Sequence, residues 1–217
     1  WLRILAGLVQ SVEDQAHYGQ SLSIHHYQHN LIVLGGGNTV YLQYARGASS
    51  LSGGFAKAYN NPGSDANDWV PTDATGSTYV EDRSARKSYR IADSFTWQVG
   101  KFGGQTSAHY QQDHDAGYKT TSTSLGGRVS YAFTKNFKLV GEAGTSRKKP
   151  EGGSTQNLTK FTIAPTLSIG QGFWDRPELR LYVTRANWNQ AAADANSGLP
   201  TGKKSATRYG LQVETWW

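Results

Sequence analysis

The chain has 217 residues, 37% of them hydrophobic and 18% charged, with a mean hydropathy of −0.59. No window approaches the ~18 consecutive apolar residues that a membrane-spanning helix needs, so a helical membrane protein is excluded. There are no cysteines, hence no disulfide framework and no thiolate site, and the net charge of +6 is scattered singly apart from Arg147-Lys148-Lys149 and Lys203-Lys204. Both clusters fall in predicted loops, where a solvated or lipopolysaccharide-facing role fits better than a groove tracking nucleic-acid phosphates.

What remains is an all-β protein, because 25 Gly, 12 Tyr and 7 Trp against 6 Pro favour strands and turns. The averages suit a soluble β protein and a membrane barrel alike, since half of each barrel strand faces water and dilutes the hydropathy signal. The chain opens at Trp1 without Met or a charged-then-apolar leader, which reads as a processed protein or a fragment.

In chain order, Trp1 to Gln10 carries Leu, Ile and Val with little clean period and is assigned as a strand; Glu13 to Gly19 is turn-like. Gln20 to His29 alternates Leu22, Ile24 and His26 against Ser23, His25 and Tyr27, and Leu34 to Asn38 is a glycine turn. Thr39 to Arg46 is a strand, and Gly47 to Arg86 is a long polar loop with isolated aromatics. Tyr89 to Val99 sets Phe95, Trp97 and Val99 against Ser94, Thr96 and Gln98, then turns at Gly100 to Gly104. Gln105 to Gln112 follows, then a polar loop Asp113 to Thr121, then a strand with Leu125, Gly127, Val129, Tyr131 and Phe133 on its oily face and Arg128 on the wet one. Thr134 to Asn136 is a tight turn, Phe137 to Ser146 a strand, and Arg147 to Gln156 a loop. Phe161, Ile163, Leu167 and Ile169 mark the next strand, Gly170 to Pro177 turns the chain, and Leu179, Leu181 and Val183 then oppose Arg180, Tyr182 and Thr184. After the loop Asn189 to Ser205 the last strand sets Tyr209, Leu211, Val213 and Trp217 against Arg208, Gln212, Glu214 and Trp216.

The connections alternate between short turns and longer polar loops, so the short ones share one rim and the long ones the other. That asymmetry belongs to outer-membrane barrels, with periplasmic turns and extracellular loops. Backbone groups in lipid must all be paired, so such a sheet closes. An aromatic at each end of the closing strand's oily face suits the two bilayer interfaces, whereas Trp216, on the polar face, points into the lumen.

Thr159-Lys160-Phe161-Thr162-Ile163-Ala164-Pro165, Gly172-Phe173-Trp174-Asp175-Arg176-Pro177-Glu178-Leu179-Arg180, Asn187-Trp188 and Gly210-Leu211-Gln212-Val213-Glu214-Thr215-Trp216-Trp217 resemble the C-terminal portion of maltoporin-type sugar porins. Tyr89 to Asp93 and Val40 to Ala45 fit weaker upstream landmarks. The resemblance implies an antiparallel transmembrane β-barrel of eighteen strands, about ten of them here, so that residues 1–217 form the C-terminal portion of a single barrel domain with a long extracellular loop at about 47–86. It also implies a homotrimer in the outer membrane of a Gram-negative cell, in contact with lipid and lipopolysaccharide, that passes maltodextrins or related oligosaccharides along a path of aromatics and needs no cofactor or metal. Trp174 and Trp216 match two of those stacking aromatics; Gly37 stands where another is expected.

A sugar ring stacks its apolar face on an aromatic plane, and its hydroxyls need donors and acceptors. Arg128, Glu178, Arg180, Tyr182 and Glu214 lie on the wet faces and are the candidate polar contacts. Each has a plainer reading: Trp174 as an interface anchor, Trp216 as a girdle ring if the register slips by one, and the charges as a mutually paired lining. Two rival classes stay open. One is an outer-membrane barrel protease, in which His109, Asp113, His114 and Asp115 near the outer rim activate water. The other is a soluble β-barrel binding protein with Tyr and Trp platforms.

Overall fold

The computed structural model describes residues 2–10, 18–30, 36–47, 49–50, 57–58, 87–115, 118–196, 198–200 and 202–215. Ten strands make one antiparallel sheet: β1 (Leu2–Gln10), β2 (Tyr18–His29), β3 (Gly37–Gly47), β6 (Lys87–Val99), β7 (Phe102–Asp115), β8 (Tyr118–Ala132), β9 (Phe137–Pro150), β10 (Gln156–Ser168), β11 (Glu178–Trp188) and β12 (Ser205–Glu214). Strands β4 (Ser49–Ser50) and β5 (Lys57–Ala58) pair separately, and the short helix α1 (Gln190–Asp194) precedes β12. Every neighbour in the large sheet is the next long strand in the chain, an up-and-down meander in the order β1-β2-β3-β6-β7-β8-β9-β10-β11-β12. Among the described residues no pairing joins β1 to β12, so the sheet is open at both edges.

Why these segments form strands is visible in β10. Its odd positions Phe161, Ile163 and Leu167 are exposed, while Ala164, Thr166 and Ser168 are buried. Register carries this alternation across the sheet: Ile163 lies opposite Val183 and Gly141, and Val183 opposite Tyr209. One surface therefore presents Leu125, Val129, Ile163, Leu167, Leu181, Val183, Leu211 and Val213, all exposed. The other surface buries Ser88, Gln111, Ser130, Lys138, Thr166, Glu178 and Arg180. A soluble protein hides its large aliphatics and shows its charges; here, among the described residues of β2 to β12, the order is reversed. An exposed apolar surface of that extent calls for a non-aqueous neighbour.

Aromatic rings border the apolar surface. Toward the short turns, Phe95 and Trp97 stack at 5.6 Å, Trp97 lies 6.2 Å from Phe102, and Tyr131, Phe133 and Phe137 follow at 5.1 and 6.0 Å. Toward the opposite rim Tyr44 and Tyr89 lie 5.3 Å apart. Rings at two levels with aliphatics between them match the two interfaces of a bilayer.

Several predicted limits are corrected. The loop assigned to Asp113–Thr121 is mostly strand, since β7 runs to Asp115 and β8 begins at Tyr118; likewise β9 continues to Pro150, where a loop from Arg147 was expected. β7 starts at Phe102, inside the expected turn. The long loops expected after β7 and β9 thus shrink to 116–117 and 151–155, and the contrast in connection length between the rims rests on the segments after β3 and β11. Most of 48–86 lies outside the described residues, as do Leu34 and Gly35 of the glycine turn expected at Leu34–Asn38, and β3 already begins at Gly37 within that turn. The segment 189–204 holds α1, capped by Asn189, whose side chain accepts from the Ala192 amide at 3.0 Å.

Candidate functional site

The inward surface is organised in rows set by register. One row crosses Gln105, Arg128, Glu142, Thr162, Thr184 and Arg208 on β7 to β12. Within it Arg128 Nε and Glu142 Oε1 are 2.5 Å apart, and the Thr162 and Thr184 hydroxyls meet at 2.7 Å. These side chains stay part-exposed, so they are a wetted lining.

Toward the short turns lies a tighter cluster. Glu178 Oε1 meets Lys138 Nζ at 2.5 Å and Arg176 Nη1 at 3.1 Å, and its other oxygen meets Arg180. Arg180 Nη1 reaches Glu214 Oε2 at 2.6 Å and Arg176 Nη2 reaches Glu214 Oε1 at 3.3 Å. The Lys138, Arg176, Glu178 and Arg180 side chains are at most 4% exposed. The cover comes from segment 170–177, which folds back over the wall: Lys138 Nζ donates to the Gly172 carbonyl at 2.6 Å, and the Phe173 amide donates to Gln98 Oε1 on β6 at 2.7 Å. The Asp175 carboxylate closes the bend by accepting from the Gly172 amide at 2.7 Å.

Toward the other rim a polar ladder crosses β2, β3, β6 and β7. Ser23 Oγ bonds His25 Nε2 at 2.6 Å and accepts from Gln43 at 3.2 Å; Arg90 Nε donates to Gln111 at 2.7 Å, and Gln111 and Ser88 donate to Asp113 at 2.8 and 2.7 Å. Its rungs satisfy one another while keeping faces toward the interior.

The structure brings four predicted residues, Glu178, Arg180, Glu214 and, through the next row, Tyr182, to one wall; Arg128 sits apart, paired with Glu142. Tyr182 lies directly across from Gly210, whose missing side chain leaves room for the phenol. Tyr27 does the same over Gly37: a Cβ there would stand 2.7 Å from the Tyr27 hydroxyl oxygen. The position read as a gap in the aromatic path is thus covered by a ring from the neighbouring strand. Trp174 is exposed at the bend with its ring edge-on to Phe173 at 4.9 Å, and Trp216 lies outside the described residues. Sequence reasoning missed Lys138, Arg176, Glu142 and the bond between Gln98 and Phe173. Strand parity would have found Lys138 and Glu142 and already sets Gln98 on the wet face, but no local pattern points to Arg176 or to the partner of Gln98.

The residues considered for water activation are divided between the two surfaces. His109 faces inward, its Nδ1 bonded to Ser124 Oγ at 2.6 Å, whereas His114 packs edge-on against Tyr89 on the outer surface at 6.1 Å. Asp113 is engaged by Ser88 and Gln111, and the Asp115 side chain is outside the described residues. Among the described residues no group of three or more His, Asp or Glu could hold a metal ion.

A meander with an aliphatic outer surface between two rings of aromatics, and an inner surface of paired charges and hydroxyls, is the wall of an outer-membrane β-barrel channel. Residues 4–217 match the LamB porin family, nearly the whole chain, and the protein belongs to that family. The family consists of outer-membrane porins, channels rather than enzymes.

Proposed function

We propose that this chain is the C-terminal portion of an eighteen-stranded barrel, assembled as a homotrimer in the outer membrane, through which maltodextrins or related oligosaccharides diffuse. The observation that carries the reading is the inner surface: hydroxyls, amides and part-exposed charges in continuous rows, with Tyr27 and Tyr182 laid over glycines. Shallow rings separated by hydrogen-bonding side chains hold a sugar firmly enough to admit it and weakly enough to release it. Trp174 at the bend adds a stacking ring, and the resemblance to sugar porins assigns Trp216 to the same path. Arg128, Glu178, Arg180, Tyr182 and Glu214 provide polar contacts, those of the buried cluster by holding the wall's shape beneath the sugar.

The test is sugar-induced block of single-channel current in planar bilayers. Trp216→Ala raises the maltotriose concentration needed for half block by about tenfold, the loss of a stacking contact of ~1–1.5 kcal/mol, and leaves conductance nearly unchanged. Block that persists undiminished in the Trp216 variant ends the stacking assignment. No modulation of the parent protein by maltodextrins or sucrose ends the sugar assignment and leaves the porin.

A further inference from the structure

The wall between β7 and β11 is dented. Gly126 and Gly144 face one another across β8 and β9, and Gln105, Ser107, Arg128, Glu142, Lys160 and Thr162 are among the residues around them, enclosing a depression of about 440 Å³. That volume falls within the ~300–1,000 Å³ of small-ligand sites. Its lining is more polar than apolar, and the two opposed glycines carry no side chains to fill it.

The charges around the hollow do not balance. Arg128 is matched by Glu142 at 2.5 Å. Lys160 lines the hollow and Arg208 ends the row that crosses it; among the described residues neither has an ion-pair partner. Two cations, Arg128 and Lys160, therefore line the hollow against one carboxylate, beside the paired hydroxyls of Thr162 and Thr184, and Arg208 adds a further positive charge across from Thr184. A neutral sugar would need acceptors as much as donors; this hollow is rich in donors that carry charge, and charge-assisted hydrogen bonds go to anionic oxygens.

We propose that this hollow is a subsite for a sugar unit bearing an acidic group, a carboxylate or a phosphate, with Lys160 bonding the anionic oxygens, Arg208 adding its field from two strands away, and Gly126 and Gly144 making room for the ring. The proposal rests on the channel reading above and adds a substrate class to it. Acidic sugars are drawn to the wall by its surplus positive charge, and they occupy a place that contains no aromatic ring.

Current block by digalacturonate and glucose 6-phosphate is measured beside maltose, on the native protein with its complete barrel and on variants. Lys160→Gln weakens block by the acidic sugars about fivefold, the scale of one exposed ion pair, and leaves maltose within about twofold. Gly144→Val weakens the same sugars by filling the hollow. A Cβ at Gly144 lies 3.6 Å from the Gly126 Cα, ordinary contact, so Gly144→Ala fits without displacement and serves as the milder step; Lys135→Gln, in the turn between β8 and β9, is the charge control. Loss confined to digalacturonate assigns the site to carboxylates, and loss confined to glucose 6-phosphate assigns it to phosphates. Lys135→Gln matching Lys160→Gln, or acidic block unchanged in both hollow variants, overturns the subsite. Maltose failing to act on the parent counts against the sugar channel alone if the acidic sugars still block in a Lys160-dependent way, and against both if they do not.

Discussion

Removing one carboxylate from the cluster under the folded-back turn tests how the wall is held. Lys138, Arg176 and Arg180 against Glu178 and Glu214 leave a net +1 in a space where the three cations are at most 4% exposed. Glu178→Gln keeps shape and volume but takes the balance to +2, and it removes the one group that touches all three cations. Breaking a buried pair by neutralising one partner costs ~3–5 kcal/mol, because the remaining charge is left desolvated. Glu214, whose side chain is 26% exposed, remains as a wetted counter-charge, which places the expected loss near the lower end, at ~3 kcal/mol. Urea unfolding of the protein refolded into lipid vesicles, followed by tryptophan fluorescence, reads this loss as a lowered midpoint. Lys138→Met combined with Glu178→Gln recovers part of it, since the stranded ammonium is gone. A Glu178→Gln midpoint within ~0.5 kcal/mol of the parent would refute the argument that this cluster closes on itself electrostatically.

Two other perturbations separate the surfaces. Ile163→Arg places a guanidinium on the aliphatic face and lowers stability in bilayers by ~2–4 kcal/mol, whereas Thr162→Arg, one residue away and facing inward, has little effect; equal outcomes in vesicle refolding would contradict the assignment of faces. Gln98→Ala removes the acceptor of the Phe173 amide, costs ~1–2 kcal/mol, and increases protease cleavage within 170–177; an unchanged cleavage rate would mean that the bend is held without it.

The strands that cross the apolar band were readable from the residues, because lipid on one side and water on the other impose a period of two, as at Phe161, Ile163 and Leu167 against Thr162, Ala164 and Thr166. The ends of β7, β8 and β9 were not. His114, Lys119 to Thr121 and Arg147 to Lys149 lie beyond the band, where both faces meet water, so hydropathy carries no alternation there and a polar strand looks like a loop. The inward position of Glu178, Arg180 and Glu214 followed from parity. Their convergence with Lys138 and Arg176 did not, because it depends on the register of β9 against β10 and β10 against β11, together with the path of a bend whose residues belong to no strand.

The bond between Gln98 and Phe173 also ties two distant hairpin ends together. Between β6 and β10 there are four steps from strand to strand, so a flat sheet would hold the two hairpin ends ~19 Å apart. The five residues from Ser168 to Phe173 can extend ~17 Å, so the bend itself covers most of that distance and lies as a chord across the inner side of β7 to β9, closing on Gln98 at 2.7 Å. Since the two residues are separated by 75 positions, the chord can be tied only after the hairpins between them have zipped in register, and a slip of one residue would turn Gln98 to the hydrocarbon side and leave it untied.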